Sequence, residues 1–217
     1  MKQTALDFKQ LPSYARDDFI VSRCNELVWQ WLTTWPKWPS YGAIIVGPKA
    51  AGKTHLLHCW QSMSHAAVVD SQDTQPHYTQ PLAIDDADGW ISESAQIKLF
   101  HLLNQTKETK HTVLLTATTP PGQWRIDLKD LRSRLLSFPI WELNAPDEAL
   151  LAGILSKHFT DRQISVDSNV IHYIVTRSER SFATIQDIAQ RIDAFAWEEQ
   201  RPITTALVRR WMEMHQS

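Results

Sequence analysis

The fold of this chain is decided by the stretch Gly47-Pro48-Lys49-Ala50-Ala51-Gly52-Lys53-Thr54, which fits the pattern G-x-x-x-x-G-K-[ST]. The stretch lies between an apolar run, Ala43–Val46, and a helical pattern, His55–Met63. A strand, this loop and a helix in that order are typical of a phosphate-binding loop, because the helix N-terminus then faces the phosphates.

The residue types of this loop suit a bound nucleotide. Backbone N–H groups of such a loop wrap the β-phosphate, the Lys53 ammonium reaches the β- and γ-oxygens, and the Thr54 hydroxyl can ligate Mg²⁺. We therefore expect residues 47–54, with His55 directly after them, to bind ADP or ATP. The alternative is a glycine-rich turn that binds nothing.

The composition indicates an ordinary globular chain of weak net charge. Its 217 residues are 43% hydrophobic and 21% charged, enough for one sizeable core and a small appended subdomain. The net charge of −2 argues against the strong basic field that non-specific DNA binding demands, although Arg209-Arg210 could form a local basic patch. We also expect no direct sequence-specific DNA binding. We find neither the apolar core of a signal peptide nor a membrane-spanning run, so we predict a cytoplasmic protein without a membrane partner.

Alternating strand and helix patterns follow the first motif. They predict an α/β fold with a parallel, doubly wound, five-stranded sheet. The predicted strands are Tyr41–Val46, Ala66–Asp70, Pro81–Asp86, His111–Thr118 and Phe138–Leu143, and the predicted helices are Ser22–Trp35, His55–Met63, Ser92–Thr106 and Leu128–Leu136.

The last third of the chain is predicted to be entirely helical. Four helical patterns cover about residues 148–160, 167–177, 182–198 and 204–215, with Asp147 and Asp167 as N-caps. We therefore divide the chain into a flexible tail (1–20), a nucleotide-binding α/β domain (21–146) and a small helical domain (147–217).

Candidate catalytic groups follow the predicted strands. Asp85 ends the third strand, where a carboxylate can hold Mg²⁺ through water. Asp86 could orient the attacking water, but it is one methylene shorter than the Glu usual in fast ATPases, so we expect slow turnover. Thr118 could sense the γ-phosphate. Arg132 and Arg134 are two residues apart, so at most one can point across a subunit boundary.

In this order the motifs resemble the AAA+ family of the bacterial replication initiator DnaA and its truncated relative Hda. Phe19–Asn25 is similar to F-V-V-G-x-x-N, in which Phe19, Ile20 and Val21 would line the adenine pocket. Three further segments match family motifs: Ile84-Asp85-Asp86 matches I-D-D, Phe100–Asn104 matches F-H-x-x-N, and Asp130–Leu135 matches the D-L-x-S-R-[LF] box of the arginine finger. The resemblance implies an AAA+ fold with a helical lid, and it selects Arg134 as the finger.

The sequence departs from the initiator in three respects. After the lid helices we expect no helix-turn-helix DNA-binding domain, and the loop 71–81 is too short for the initiator's helical insertion. The lid arginine that contacts the nucleotide in the family aligns with Ala183, and Arg180 is the nearby substitute.

The first residues contain Gln3-Thr4-Ala5-Leu6-Asp7-Phe8, which fits the pattern Q-x-x-L-x-F. Bacterial proteins use this pattern to dock on the replicative sliding clamp, with Gln3 at the pocket rim and Leu6 and Phe8 as apolar anchors. The alternative is a terminus whose Phe8 packs on its own domain.

The resemblance implies a negative regulator of replication initiation. It would hold ADP or ATP with Mg²⁺, form a homo-oligomer such as a dimer, dock on the DNA-loaded clamp and donate Arg134 to ATP bound by the initiator DnaA. A self-acting ATPase, such as a helicase-loader-like motor, and a DnaA-related DNA adaptor are the alternatives.

Overall fold

The structure is a computed structural model and describes residues 19–75 and 77–215. The predicted clamp motif, Gln3, Leu6 and Phe8, lies outside these residues. Among the described helices, none combines the length and the apolar character that crossing a bilayer would need.

Five parallel strands form one sheet in the order β2-β3-β4-β1-β5. Strand β1 lies between β4 and β5, and its Ile44 is paired with Leu115 on one side and Ile140 on the other. All residues of β1 and β4 are buried, as expected for strands covered on both faces. The strands are β1 Gly42–Val46, β2 Ala67–Val68, β3 Leu82–Ile84, β4 Val113–Ala117 and β5 Ile140–Glu142.

Helices cover both faces of the sheet, as the alternating pattern predicted. Leu99, Leu103 and Leu135 belong to the core on one face, and Leu57 and Trp60 to the core on the other. The helices of this part are α1 Glu26–Leu32, α2 Lys53–Ser64, α3 Glu93–Glu108 and α4 Lys129–Leu136, with short 3₁₀ turns at Ala87–Gly89 and Pro121–Gln123.

Helix α1 is half as long as predicted. The expected helix, Ser22–Trp35, begins instead at Glu26, because the Asn25 Oδ1 atom accepts the Ser22 N–H and holds a turn there. At the other end Pro36 disfavours a helical conformation of the residue before it. The prediction was therefore right about the element and wrong about both ends.

Four helices make a core of their own, separate from the two cores on the faces of the sheet. Leu155, Phe159, Ile174, Ile185 and Val208 pack together in this core. The N-caps are confirmed, since Asp147 accepts the Leu150 N–H and Asp167 accepts the Asn169 N–H, each at 2.7 Å. The domain boundary at residue 146 stays a prediction. The helices are α5 Glu148–Asp161, α6 Ser168–Val175, α7 Phe182–Glu199 and α8 Thr205–His215.

Tryptophans pack together on the α1 side of the sheet. Trp31 stacks on Trp38 and Trp141 with ring centroids 4.3 and 4.7 Å away, and Trp38 stacks on Trp60 at 5.4 Å. Such offset aromatic pairs add free energy beyond their buried area. Packing therefore accounts for these tryptophans, and base stacking is not needed to explain them.

Gly42 provides a test of this packing. A Cβ atom at Gly42 would lie 2.3–2.7 Å from three atoms of the Phe138 ring, so the ring would have to shift. We expect Gly42→Ala to lower the free energy of unfolding by about 1–3 kcal/mol, measured by urea denaturation. Gly122→Ala is the control, since a Cβ there meets no atom within 4 Å. Equal stability of the two variants would contradict the packing at Gly42.

Candidate functional site

The glycines of the phosphate loop are required by its geometry. A Cβ at Gly47 would lie 2.5 Å from the Leu143 carbonyl oxygen, and Gly52 has φ +95°, a left-handed conformation that favours glycine. Gly47 also donates its N–H to the Ala117 carbonyl at 3.2 Å. Strands β4 and β5 therefore fix the position at which the loop leaves β1.

Lys53 lies inside this loop rather than in solvent. It is the first residue of α2 and only 6% exposed, and its Nζ donates to the carbonyl oxygens of Gly47 and Pro48, both at 3.0 Å. The ammonium is thus held over the loop at the helix N-terminus, where a phosphate would be bound.

The predicted metal-side residues contact each other. The Thr54 hydroxyl donates to Asp85 Oδ2 at 2.7 Å, and the Thr116 hydroxyl donates to the other oxygen of Asp85. Hydroxyl and carboxylate oxygens fit Mg²⁺. In the described part of the chain no cluster of three or more Asp, Glu, His or Cys could hold a metal ion, so water and the nucleotide would supply the further oxygens.

Thr116 is a residue for which the sequence analysis gave no role. It is fully buried in β4, and its Oγ1 also accepts the Asp86 N–H at 3.0 Å. It therefore links the end of β3 to β4. The sequence signal that could have identified Thr116 is a hydroxyl side chain within an otherwise apolar strand.

Asp86 and Thr118 line the same cavity as the phosphate loop. The cavity has a volume of about 420 Å³. Asp86 has φ +46°, and its pKa is raised, first by burial and then by the neighbouring Asp85 charge, while Lys53 opposes the shift. The lining residues are Lys49, Ala50, Lys53, Thr54, Asp86, Asp88, Gly89 and Thr118.

Asp88 is a second residue that the sequence analysis missed. Its Oδ2 accepts the backbone N–H groups of Thr118 at 2.8 Å and Thr119 at 3.3 Å. This carboxylate therefore joins the turn after β3 to the end of β4. The sequence signal that could have identified Asp88 is its place as the third carboxylate in Asp85-Asp86-Ala87-Asp88.

The predicted adenine-binding segment packs beside the loop. Phe19 stacks on Trp29 with centroids 4.4 Å apart and meets the edge of His55 at 5.3 Å. Ile20 approaches Gly153 of α5, whereas Val21 is 44% exposed. The segment thus connects α2 to α5, and none of its three residues lines the 420 Å³ cavity.

Phe182, not Arg180, is the helical-domain residue at the phosphate loop. Arg180 does not line the cavity and pairs with Glu148 at 2.7 Å. The Phe182 ring lies 3.1 Å from the position that a Cβ of Gly52 would take. Ala183, the aligned position of the family's lid arginine, is exposed.

Arg134 and Arg132 differ in surroundings. Arg132 is exposed, whereas Arg134 is half-buried and donates to Asn104 Oδ1 of α3. Its guanidinium carbon lies 5.2 Å from the Phe100 ring centre. Arg134 is therefore not a fully solvated surface arginine.

The Arg134 site lies at the amino end of β1, whereas the phosphate loop follows the carboxyl end of the same strand. Arg134 interacts with the hydroxyl of Tyr41, whose pKa is raised by burial and lowered in part by this cation. Tyr41 precedes β1 and the loop follows it. The five residues of β1 separate the two ends by about 16 Å.

Comparison with known proteins gives one family match and several distant relatives. The family described as "Hda, lid domain" matches residues 147–212. An uncharacterized protein of Haemophilus influenzae is 25% identical over 186 residues, 78% of this chain and 80% of that protein. The chromosomal replication initiator DnaA of Clavibacter sepedonicus is 23% identical over 234 residues, which cover 93% of this chain. The chain spans 48% of that DnaA.

Solved structures show the same fold. Domain III of the Thermotoga maritima replication initiation protein DnaA superposes with a TM-score of 0.75 at 18% identity, over 91% of this chain and 95% of that one. A replication initiator DnaA bound to AMPPCP and single-stranded DNA superposes with a TM-score of 0.70 at 19% identity, over 88% and 69% of the two chains. The predicted α/β fold with a helical lid is confirmed, and the chain is similar to DnaA in its fold and to the Hda family in its lid domain.

Proposed function

We propose that this chain is a nucleotide-bound AAA+ regulator that supplies Arg134 to ATP held by another protein, the initiator DnaA. The observation that carries the proposal is the position of Arg134 at the amino end of β1, away from its own phosphate loop at the carboxyl end. An arginine so placed cannot reach the nucleotide of its own chain. It remains available to a nucleotide bound by a neighbour.

The charge of Arg134 supports this role. Among the residues that the structure describes, no carboxylate pairs with it. An arginine that reaches a γ-phosphate in trans stabilises transition-state charge and accelerates hydrolysis by about 10³–10⁵-fold. A protein with little activity of its own can therefore switch off another ATPase.

The chain's own nucleotide would be a structural ligand. Lys53, Thr54 and Asp85 would hold ADP or ATP with Mg²⁺, which lowers the charge repulsion among the phosphates. Related DnaA proteins have been solved with AMPPCP bound, which supports nucleotide binding here. We expect slow intrinsic turnover, because Asp86 is short for a water-positioning residue.

A self-acting ATPase is the second candidate. It is favoured by the presence of Asp86 and Thr118 on the wall of the same cavity as Lys53. In that case Arg134 would contact the nucleotide bound by a second copy of this chain. Intrinsic turnover faster than about one per second, the low end of typical enzymes, would favour this candidate.

Docking on the sliding clamp would bring the regulator to newly replicated DNA. The proposal rests on the Q-x-x-L-x-F pattern at Gln3, Leu6 and Phe8. In this arrangement the initiator is contacted by the folded part of the chain and the clamp by its first residues, and the protein is cytoplasmic.

Loss of the Lys53 ammonium should abolish nucleotide binding. Lys53→Ala leaves the phosphates without their main counter-ion. Calorimetry should show no ADP binding, and ADP should no longer raise the melting temperature of the variant. Lys107→Ala is the matched control, since its exposed side chain on α3 carries the same charge and does not line the cavity. Unchanged ADP affinity of Lys53→Ala would refute the phosphate-loop assignment.

Removal of Arg134 should stop the regulator from acting on the initiator. We expect Arg134→Ala to abolish the stimulated conversion of DnaA-bound ATP to ADP in the presence of clamp-loaded DNA. Arg132→Ala should retain most of the stimulation, since it is exposed and faces elsewhere. ADP binding by both variants shows that they are folded. Full stimulation by Arg134→Ala would remove the proposed mechanism.

Clamp binding should depend on the first residues alone. Replacement of Gln3, Leu6 and Phe8 by Ala removes both apolar anchors and should eliminate co-elution with purified clamp. ADP affinity should be unchanged. If the triple variant still co-elutes with the clamp, the linear-motif proposal is wrong.

A further inference from the structure

Thr116 is a hydroxyl residue within a strand that is otherwise apolar. Strand β4 is buried throughout, and its four other residues are valine, leucine or alanine. In the pairing with β1, Thr116 lies opposite Ile45, which is also fully buried. A valine of the same shape would suit such a strand, and a buried hydroxyl is tolerated only when it is hydrogen-bonded. The partners of this hydroxyl therefore indicate what it does.

The hydrogen bonds of Thr116 lead to the predicted metal-side residue. Its hydroxyl donates to Asp85 Oδ1, and its Oγ1 accepts the backbone N–H of Asp86 at 3.0 Å. The other carboxylate oxygen, Asp85 Oδ2, accepts the hydroxyl of Thr54 at 2.7 Å. One hydroxyl donor thus contacts each oxygen of Asp85, from β4 on one side and from the first turn of α2 on the other.

These contacts hold the carboxylate of Asp85 in one orientation. A carboxylate with a single donor can rotate about its side-chain bonds, whereas donors on both oxygens define its plane. Each oxygen accepts one hydrogen bond from these donors, so it keeps a lone pair for a metal ion or for the water on that ion. Groups that orient a metal-side carboxylate tune the affinity for the metal, and their loss typically lowers it about 10- to 100-fold.

We propose that Thr116 is a positioning residue that orients Asp85 toward the Mg²⁺ ion of a nucleotide bound at the phosphate loop. The inference rests on the proposed function, in which Lys53, Thr54 and Asp85 hold ADP or ATP with Mg²⁺. Thr116 acts through Asp85, since it is fully buried and does not line the cavity of the phosphate loop. Loss of its hydroxyl should weaken the binding of Mg²⁺ and leave the contacts of the loop with the phosphates intact.

The experiment measures ADP binding to the full chain by calorimetry, in EDTA and over a series of Mg²⁺ concentrations. Thr116→Val keeps the shape of the side chain and removes its hydroxyl. We expect the Mg²⁺ concentration at half of its maximal effect on ADP affinity to rise about 10- to 100-fold. The ADP affinity in EDTA should change less than about twofold, because the phosphate contacts of Lys53 are retained. Thr116→Ser restores the donor and should return the Mg²⁺ dependence to within about threefold of wild type.

Two further variants separate positioning from a merely structural role. Thr106→Val is the matched control, because Thr106 is a buried threonine of α3 whose hydroxyl donates to the Leu102 carbonyl. It should match wild type in both quantities. The double variant combines Asp85→Ala with Thr116→Val. If Thr116 acts through Asp85, its substitution should have no further effect on the Mg²⁺ dependence once the carboxylate is gone.

The outcomes distinguish this inference from the proposed function. Wild-type behaviour of Thr116→Val, or an equal loss of ADP affinity with Mg²⁺ and in EDTA, would overturn the positioning role alone. An additional effect of Thr116→Val in the Asp85→Ala background would also overturn it. A wild-type chain that binds ADP without any effect of Mg²⁺ would overturn the metal-side assignment of Asp85 together with the positioning role. A wild-type chain that binds no ADP would overturn the proposed function as well.

The folding of each variant is checked by its melting temperature. Thr116→Ala also removes the hydroxyl, and it adds no atom that could clash. It therefore replaces Thr116→Val if the valine variant unfolds, with the same expected change in Mg²⁺ dependence.

Discussion

The pairing of β1 with β4 on one side and β5 on the other is the constraint on which the rest of the structure depends. β1 is buried throughout and has a fixed register with both neighbours. Its carboxyl end starts the phosphate loop, and its amino end carries Tyr41 beside Arg134. The same strand therefore sets the position of two chemically different sites and keeps them apart.

The separation of these sites bears on the proposed function, in which the module binds one nucleotide and acts on another. At the carboxyl end, Lys53 and the Thr54–Asp85 pair form a site for phosphates. At the amino end, the partners of Arg134 among the described residues include an amide oxygen and an aromatic ring. In the proposed function, a second nucleotide-binding protein completes the contact at the amino end.

Much of the fold could be predicted because its signals are local. The loop residues 47–54 and their flanking patterns identified the strand, the turn and the helix, and Asp147 and Asp167 marked two helix starts. The ends of α1 could not be predicted, since they depend on the Asn25 side chain and on competition with Pro36. Thr116 and Asp88 were missed, and the contact of Asn104 with Arg134 was not predicted although Asn104 lies in a matched motif, for another reason. Their partners lie about 30 residues away in the sequence, so only the packing of strands and helices brings them together.

The contact of the helical domain with the phosphate loop has a different character from the one that the resemblance implies. A lid arginine would add positive charge near the γ-phosphate, where ADP and ATP differ. Here Arg180 is paired with Glu148, and the aromatic ring of Phe182 contacts the loop at Gly52. An apolar ring excludes water but gives no charge-dependent attraction for a third phosphate. With a nucleotide at Lys53, this ring would supply an apolar contact to the loop in place of a charge. Such a contact fits the proposal that the nucleotide is a structural ligand of this chain.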